Sequence, residues 1–94
     1  ISRDMYPPAH AHSDFRKPLE ELKLLTKAEK GIAIGETGII PEPDMLKESH
    51  TPWLWYMTWS HDFCLTEKFN DNDMLCKLYG HPVAITLDKL PALY

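Results

Sequence analysis

Short apolar runs alternate with amphipathic segments along the chain. Ile1 to Tyr6 looks like the last residues of a strand, and Ile32 to Glu36 is an apolar run bounded by glycines and too brief for a helix. Trp53 to Trp59 is a third strand-like run, rich in aromatic residues. Short apolar runs of this kind are typical of strands buried on both faces, which belong to parallel sheets.

Helical segments are predicted between these strands. Pro18 suits a first helical turn, and a helix to about Lys30 is expected because core positions recur at three-to-four spacing at Leu19, Leu22, Leu25 and then Ala28 or Glu29. A short helical turn is predicted over residues 41–47. A third helix begins after Asp71 or Asn72 and ends at Gly80 in a left-handed cap, before a final extended segment. This order is the alternation of βαβ units, so the predicted class is α/β.

Three parallel strands are an incomplete architecture. A parallel sheet needs helices on both faces or closure into a barrel, and 94 residues supply neither fully. Missing strands are the simplest explanation, so we expect residues 1–94 to be a fragment of one (β/α)₈ barrel. A self-contained three-stranded α/β domain stays open.

Charge and composition exclude some classes of function. The formal net charge is −4, and the ten Lys and Arg residues are scattered between acids, so nucleic acid is not an expected partner. No apolar run approaches the roughly 18 residues that a membrane span needs. Cys64 and Cys76 could pair or remain free core thiols, which leaves the compartment open.

Polar residues close the apolar strands at their C-terminal ends. Because side chains alternate between faces, Glu36 is expected to share a face with Ile32 and Ile34, Asp4 with Tyr6, and Trp59 with Trp53, Trp55 and Met57. In a barrel the loops at this end build the active site, so Asp4, Tyr6, Glu36 and Trp59 would converge on one pocket. A lone carboxylate at a strand end would more often cap the next turn.

His10 and His12 are a weaker candidate for chemistry. Two histidines one residue apart could bind a metal, but they are not accompanied by a cluster of carboxylates or cysteines. We therefore expect them to be loop residues near the rim and predict no metal site.

Five motifs in order carry a resemblance to glycoside hydrolase family 26. They are Arg3 to Pro7 (RDMYP), Ile32 to Gly38 (IAIGETG), Pro41 to Asp44 (PEPD), Trp53 to Trp59 (WLWYMTW) and Ile85 to Pro91 (ITLDKLP). Single motifs such as Glu-Thr-Gly occur in many glycosidases, but the set covers nearly the whole chain. The chain resembles the C-terminal part of this family's catalytic barrel, with strands six to eight.

The resemblance implies a retaining endo-β-1,4-mannanase that acts on mannan, galactomannan or glucomannan, without metal or organic cofactor, and secreted or at the cell surface. The remaining strands would lie on missing sequence or on another chain. They would include the acid/base carboxylate at the end of strand four, to which no residue here corresponds.

The same resemblance assigns the site residues. Glu36 matches the nucleophile, Asp4 and Tyr6 match residues that hydrogen-bond the sugar and the nucleophile, and Trp59 matches the aromatic platform under the sugar at the cleavage site. The residue after this platform is often Arg in the family and is Ser60 here, so contacts beyond the cleavage site are expected to differ.

Two alternatives remain at this stage. Related barrels with the same strand-seven glutamate include β-glucanases and xylanases. A non-catalytic carbohydrate-binding module could also keep the aromatic residues of the cleft. Such a module has no use for an ionised carboxylate at a dry strand end, so Glu36 favours the enzyme.

Overall fold

The chain folds into one parallel sheet with helices between its strands. The computed structural model describes residues 1–26 and 29–92. The strands lie side by side in chain order: β1 (Ser2–Met5), β2 (Ala33–Thr37) and β3 (Tyr56–Thr58). The helices are α1 (Arg16–Leu25), α2 (Pro43–Ser49) and α3 (Asn72–Gly80), with 3₁₀ turns at His61–Phe63 and Leu87–Lys89. The predicted α/β class with parallel strands is confirmed, and none of the described helices is long and apolar enough to cross a membrane.

Helix α1 covers one face of the sheet through apolar side chains. Leu19 and Leu22 of α1 form one buried cluster with Ile32. A second cluster joins Met5 and Ile34 to Phe15, the residue before α1. Trp53 packs against both clusters, and its indole Nε1 donates a hydrogen bond to Asp14 O at 2.9 Å. Each such side chain contributes about 1.5–3 kcal/mol when fully buried, so this face is the principal core.

Several details of the predicted helices are wrong. Helix α1 begins at Arg16 and ends at Leu25, because Thr26 has an extended backbone. Leu25 is therefore not a core residue but is 74% exposed, and Ala28 lies outside the described residues. Gly80 is the last residue of α3 and does not adopt a left-handed φ.

A bulge at Gly35 changes which residues of β2 share a face. Arg3 pairs with Ile34 and the next residue, Asp4, pairs with Glu36, so β2 carries one extra residue at this point. Paired residues of adjacent strands point the same way. Ile34 therefore packs toward α1 with Met5, while Glu36 lies on the opposite face with Asp4. The prediction that Ile34 and Glu36 share a face is wrong, because strict alternation stops at the bulge.

The C-terminal half exposes much of its apolar surface. Strand β3 is shorter than the predicted run from Trp53 to Trp59, and Trp53 turns into the core beside α1. Trp55 and Met57 are 51% and 48% exposed, and Ile85 in the last segment is 74% exposed. The face of β3 that lies away from α1 thus lacks a packing partner within the described residues.

Candidate active site

Tyr6 and Glu36 stand side by side at the C-terminal ends of β1 and β2. The Tyr6 hydroxyl donates a hydrogen bond to Glu36 Oε1, and the two backbones are joined because Gly38 N donates to Met5 O at 3.0 Å. The hydrogen bond to the Glu36 carboxylate raises the pKa of Tyr6 to about 12. The phenol therefore remains a proton donor at neutral pH and restrains the orientation of the carboxylate.

Asp4 lies beside this pair because of the bulge at Gly35. A Cβ at Gly35 would stand 2.8 Å from Asp4 Oδ1 and 3.1 Å from Ser2 Oγ, so glycine leaves the room that the Asp4 carboxylate occupies. Asp4 is exposed, whereas its neighbour Arg3 turns to the other face and binds Glu21 of α1 at 2.8 Å. The structure thus brings Asp4, Tyr6 and Glu36 together on one face.

Two aromatic rings close around Gly38, just after Glu36. A Cβ at Gly38 would stand 2.7 Å from Tyr6 Cδ1 and 2.7 Å from Phe63 Cε1. The Tyr6 and Phe63 rings meet edge to face with centroids 5.8 Å apart, and Phe63 stacks on Phe69 at 4.3 Å. Aromatic pairs in these geometries are favourable beyond their buried area, so Phe63 holds the ring of Tyr6 from the β3 side.

Asn70 holds the loop after β2 from inside. Its side chain is fully buried and makes three hydrogen bonds: Nδ2 donates to Gly38 O at 2.8 Å and to Phe63 O at 2.9 Å, and Oδ1 accepts from Ile40 N at 2.9 Å. Breaking the bond to Gly38 O or to Ile40 N would leave a buried backbone group without a partner. Asn70 thus links the end of β2 to the loop after β3.

Trp59 follows β3 and is fixed through its backbone. Its N donates to Thr37 O at 2.9 Å, and its O accepts from Cys64 Sγ at 3.0 Å. The indole is exposed on the same side of the chain as Trp55 and Met57. Trp59 therefore stands beside the residue that follows Glu36, with its ring open to solvent. Cys64 and Cys76 are both free thiols, so the disulfide left open by the sequence does not form.

Sequence reasoning did not find Phe63 or Asn70. Asn70 stands in a polar segment, and asparagine there is usually exposed. Phe63 follows a His-Asp pair in the same segment and shows no periodicity. The one available signal was Gly38, since a glycine directly after a strand often marks the close approach of another group.

A second polar group forms where the loop after β1 meets the start of α3. One ligand atom from each of His10, His12 and Asp71 lies within 4.8 Å of the others. The expectation that no carboxylate accompanies the two histidines is wrong, because the fold supplies Asp71 from a distant part of the chain.

The sequence pattern of glycosyl hydrolase family 26 matches residues 1–89. The chain belongs to this family. The mannan endo-1,4-β-mannosidase of Thermothelomyces thermophilus is 30% identical to this family 26 chain over 90 residues, which are 96% of the chain and 18% of that relative. Mannan endo-1,4-β-mannosidase B of Piromyces sp is 24% identical over 63 residues, 67% of the chain and 11% of the relative.

Solved family 26 structures share this fold. A Podospora anserina GH26-CBM35 β-(1,4)-mannanase aligns with a TM-score of 0.84 and 30% identity over 94% of the chain and 19% of that protein. A ruminal GH26 endo-β-1,4-mannanase gives 0.86 and 27% over 97% of the chain and 21% of that protein. A β-mannanase from a symbiotic protist of the termite Reticulitermes speratus, complexed with gluco-manno-oligosaccharide, gives 0.83 and 28% over 97% and 27%. The resemblance inferred from the motifs is confirmed, and the chain spans between 11% and 27% of the length of these relatives.

Proposed function

We propose that this chain is the C-terminal part of a (β/α)₈ barrel, a retaining endo-β-1,4-mannanase in which Glu36 is the nucleophile. One observation carries the proposal: Tyr6 donates a hydrogen bond to Glu36 at the C-terminal ends of two adjacent parallel strands. Active sites of barrel enzymes lie at this end of the strands. Membership of family 26, with mannanases among the relatives, supports hydrolysis of mannan, galactomannan or glucomannan.

The proposed chemistry needs Glu36 as an ionised carboxylate in one fixed orientation. It attacks the anomeric carbon and forms a glycosyl-enzyme, while a second carboxyl group about 5–5.5 Å away protonates the leaving oxygen. Water then releases the sugar as the second group takes up a proton. The Tyr6 hydroxyl restrains the nucleophile, and the second carboxyl group belongs to a part of the barrel outside this chain.

Asp4 and Trp59 are assigned to the sugar. Asp4 is exposed on the face that carries Glu36, so its carboxylate can accept hydrogen bonds from sugar hydroxyls. Trp59 is 46% exposed, and an indole can bury the apolar C–H face of a sugar ring. A related mannanase in complex with gluco-manno-oligosaccharide supports this class of ligand.

The remaining strands of the barrel are proposed to cover the apolar surface at both edges of the sheet. Strands β1 and β3 each have a strand neighbour on one side only among the described residues. An apolar hollow beside β3 is lined by side chains that include Trp55, Val83, Ile85 and Leu87. A closed barrel would pair both open edges and fill this hollow. We place the assembled enzyme outside the cell, where its polymeric substrate would be.

Covalent trapping tests the nucleophile. The complete enzyme that contains this chain is incubated with a 2-deoxy-2-fluoro-mannosyl donor that carries a good leaving group, so that the glycosyl-enzyme accumulates. Mass spectrometry of the tryptic digest should place the adduct on Glu36, in the peptide from Gly31 to Lys47. An adduct on another carboxylate, such as Asp4 or Asp62, contradicts the proposal.

The Glu36→Ala variant gives the matching kinetic test. Its turnover should fall by about four orders of magnitude or more, with ligand binding near normal, because the carboxylate acts on the transition state. Azide should restore part of the activity and give a product of inverted configuration. The control is Glu48→Ala on α2, which removes an exposed carboxylate away from the strand ends and should leave turnover unchanged. Substantial activity in Glu36→Ala without azide contradicts the proposal.

A further inference from the structure

The loop after β1 folds back so that His10 and His12 lie close to Asp71, the residue before α3. His10 has a φ of 61°, in the left-handed region, and its N donates to Phe69 O at 2.8 Å. This turn sets His10 Nδ1 3.1 Å from Asp71 Oδ1. Asp71 occupies the N-cap position of α3, but its side chain makes no capping bond, so the carboxylate faces the histidines instead of the helix.

His12 is held in one tautomer by the backbone. Its Nδ1 lies 2.8 Å from Ile40 O, and a carbonyl oxygen can only accept, so Nδ1 carries the proton and Nε2 carries the lone pair. Nε2 is shielded from solvent and has no hydrogen-bond partner among the described residues. A buried acceptor without a partner is unfavourable. A bound cation would satisfy it.

This arrangement provides both the ligand atoms of a histidine metal site and the outer hydrogen bond that orients one of them. The available ligand atoms are two imidazole nitrogens and one carboxylate oxygen, all within 4.8 Å of one another. In a tetrahedral zinc site with bonds of about 2.0–2.1 Å, neighbouring ligand atoms are about 3.4 Å apart, close to the 3.1 Å between His10 and Asp71. The bond from His12 Nδ1 to Ile40 O is the outer contact that orients a metal-binding imidazole.

We propose that His10, His12 and Asp71 bind a divalent zinc ion, with water in the fourth position. Imidazole with carboxylate suits zinc and neighbouring transition metals, whereas Mg²⁺ and Ca²⁺ prefer oxygen ligands throughout. The metal would be structural. It would fasten the loop after β1 to the segment before α3, next to Asn70, whose side chain holds the loop after Glu36.

Calorimetry and thermal unfolding test this site with zinc alone. The complete protein is dialysed against a chelator and titrated with ZnCl₂, and MgCl₂ and CaCl₂ are titrated in parallel. We expect one zinc ion per chain at this site and a rise in Tm with zinc but not with the other two ions. Asp71→Asn and His12→Gln should each weaken zinc binding at least as much as the 10- to 100-fold that loss of an outer contact costs.

A matched pair of histidines separates metal binding from backbone effects. His10 and His50 both have left-handed φ angles, 61° and 50°, and both are exposed. Asparagine tolerates this conformation, so His10→Asn and His50→Asn should fold alike, with similar circular dichroism. Only His10→Asn should lose the zinc-dependent rise in Tm. The proposal is overturned if zinc does not bind, or if binding survives in His10→Asn, His12→Gln and Asp71→Asn alike, which would locate it elsewhere on the protein.

Discussion

Two regions of the chain hold carboxylates with hydrogen-bond donors, but they differ in burial. At the strand ends Glu36 accepts from Tyr6, and the loop that follows is held by the fully buried Asn70. Between α2 and α3, Lys77 Nζ lies 2.5 Å from Glu42 and 2.7 Å from Asp44. The Lys77 and Asp44 side chains are 42% and 53% exposed, whereas the Glu42 side chain is 13% exposed.

The difference in burial predicts a difference in consequence. A buried hydrogen-bonding group that loses its partner costs about 1–3 kcal/mol, whereas an exposed ion pair is typically worth about 0–1 kcal/mol. At the strand ends Asn70 is fully buried, whereas the Tyr6 ring is 52% exposed. The contact between α2 and α3 depends on Lys77, whose side chain is exposed and lies on another part of the chain, so changes there should not alter the geometry at the strand ends.

Tyr6→Phe should give the largest effect among changes that leave Glu36 in place. A hydrogen bond to a charged group is stronger than one between neutral groups, and Tyr6 donates one to Glu36. Without it kcat should fall roughly 10- to 100-fold with little change in KM. Tyr79→Phe, on the exposed side of α3, is the control. A Tyr6→Phe enzyme with normal kcat would show that the hydroxyl does not position Glu36, the proposed nucleophile.

The same variant tests the pKa of Tyr6, since its folded value of about 12 exceeds the ordinary 10.0. A raised pKa means that the hydrogen bond stabilises the fold at pH values below about 10 and that this contribution is lost as the pH rises through about 12. The ultraviolet titration of wild type minus Tyr6→Phe should therefore show a phenol that ionises near 12. A difference spectrum that titrates near 10 would contradict the hydrogen bond in solution.

Gly38→Ala tests the packing at the strand ends. Its Cβ would meet Tyr6 and Phe63 at 2.7 Å, so the rings must shift, and overpacking of this kind typically costs about 1–3 kcal/mol. Gly80→Ala is the matched control, because a Cβ there meets nothing within 4 Å and alanine stabilises a helical position by up to about 1 kcal/mol. Denaturant unfolding of both variants measures the contrast. Equal stability changes would show that Gly38 has space around it.

Trp59→Ala should weaken manno-oligosaccharide binding by about 1–2 kcal/mol, the scale of burying an aromatic ring against an apolar face. Stability should change less, because the indole is 46% exposed. Trp55→Ala is the control, since Trp55 is similarly exposed at 51% on the same face but lies further from the strand end. Calorimetric titration of both variants is the measurement. Equal losses of affinity would remove the platform role from Trp59.

Local patterns predicted the order of elements and the proximity of Tyr6 to Glu36, because both follow from parallel strands of known direction. Face assignment failed at Ile34, since alternation cannot reveal the extra residue at Gly35. The contacts of Asn70 and Asp71 could not be predicted from the sequence either. Their partners, Gly38 and His10, lie far away in the sequence, and only tertiary packing decides that one asparagine is buried and that one N-cap carboxylate turns to a histidine.

Lys77→Met should have the smallest effect, a slight loss of unfolding free energy, because ion pairs made by an exposed lysine stabilise a fold little. Partial burial alone would raise the pKa of Glu42, but hydrogen bonds from Lys77 and from Met45 N outweigh it and lower that pKa below its ordinary 4.5. The paired carboxylates raise the pKa of Lys77 above 10.5.

Because the pKa of Glu42 is lowered in the folded state, its interactions stabilise the fold above about pH 4.5, and this contribution is lost as the pH falls through the folded pKa. Because the pKa of Lys77 is raised, its contribution is present below about pH 10.5 and is lost as the pH rises through the folded pKa. Wild type and Lys77→Met should therefore differ in stability between about pH 5 and pH 10 and converge in acid. Urea unfolding at pH 7 and pH 3 measures this, with Lys47→Met as the control for loss of an exposed lysine on α2. The proposed hydrolysis of mannan by the complete enzyme at pH 7 should be unchanged, and a marked loss of activity in Lys77→Met would show that the two regions are coupled.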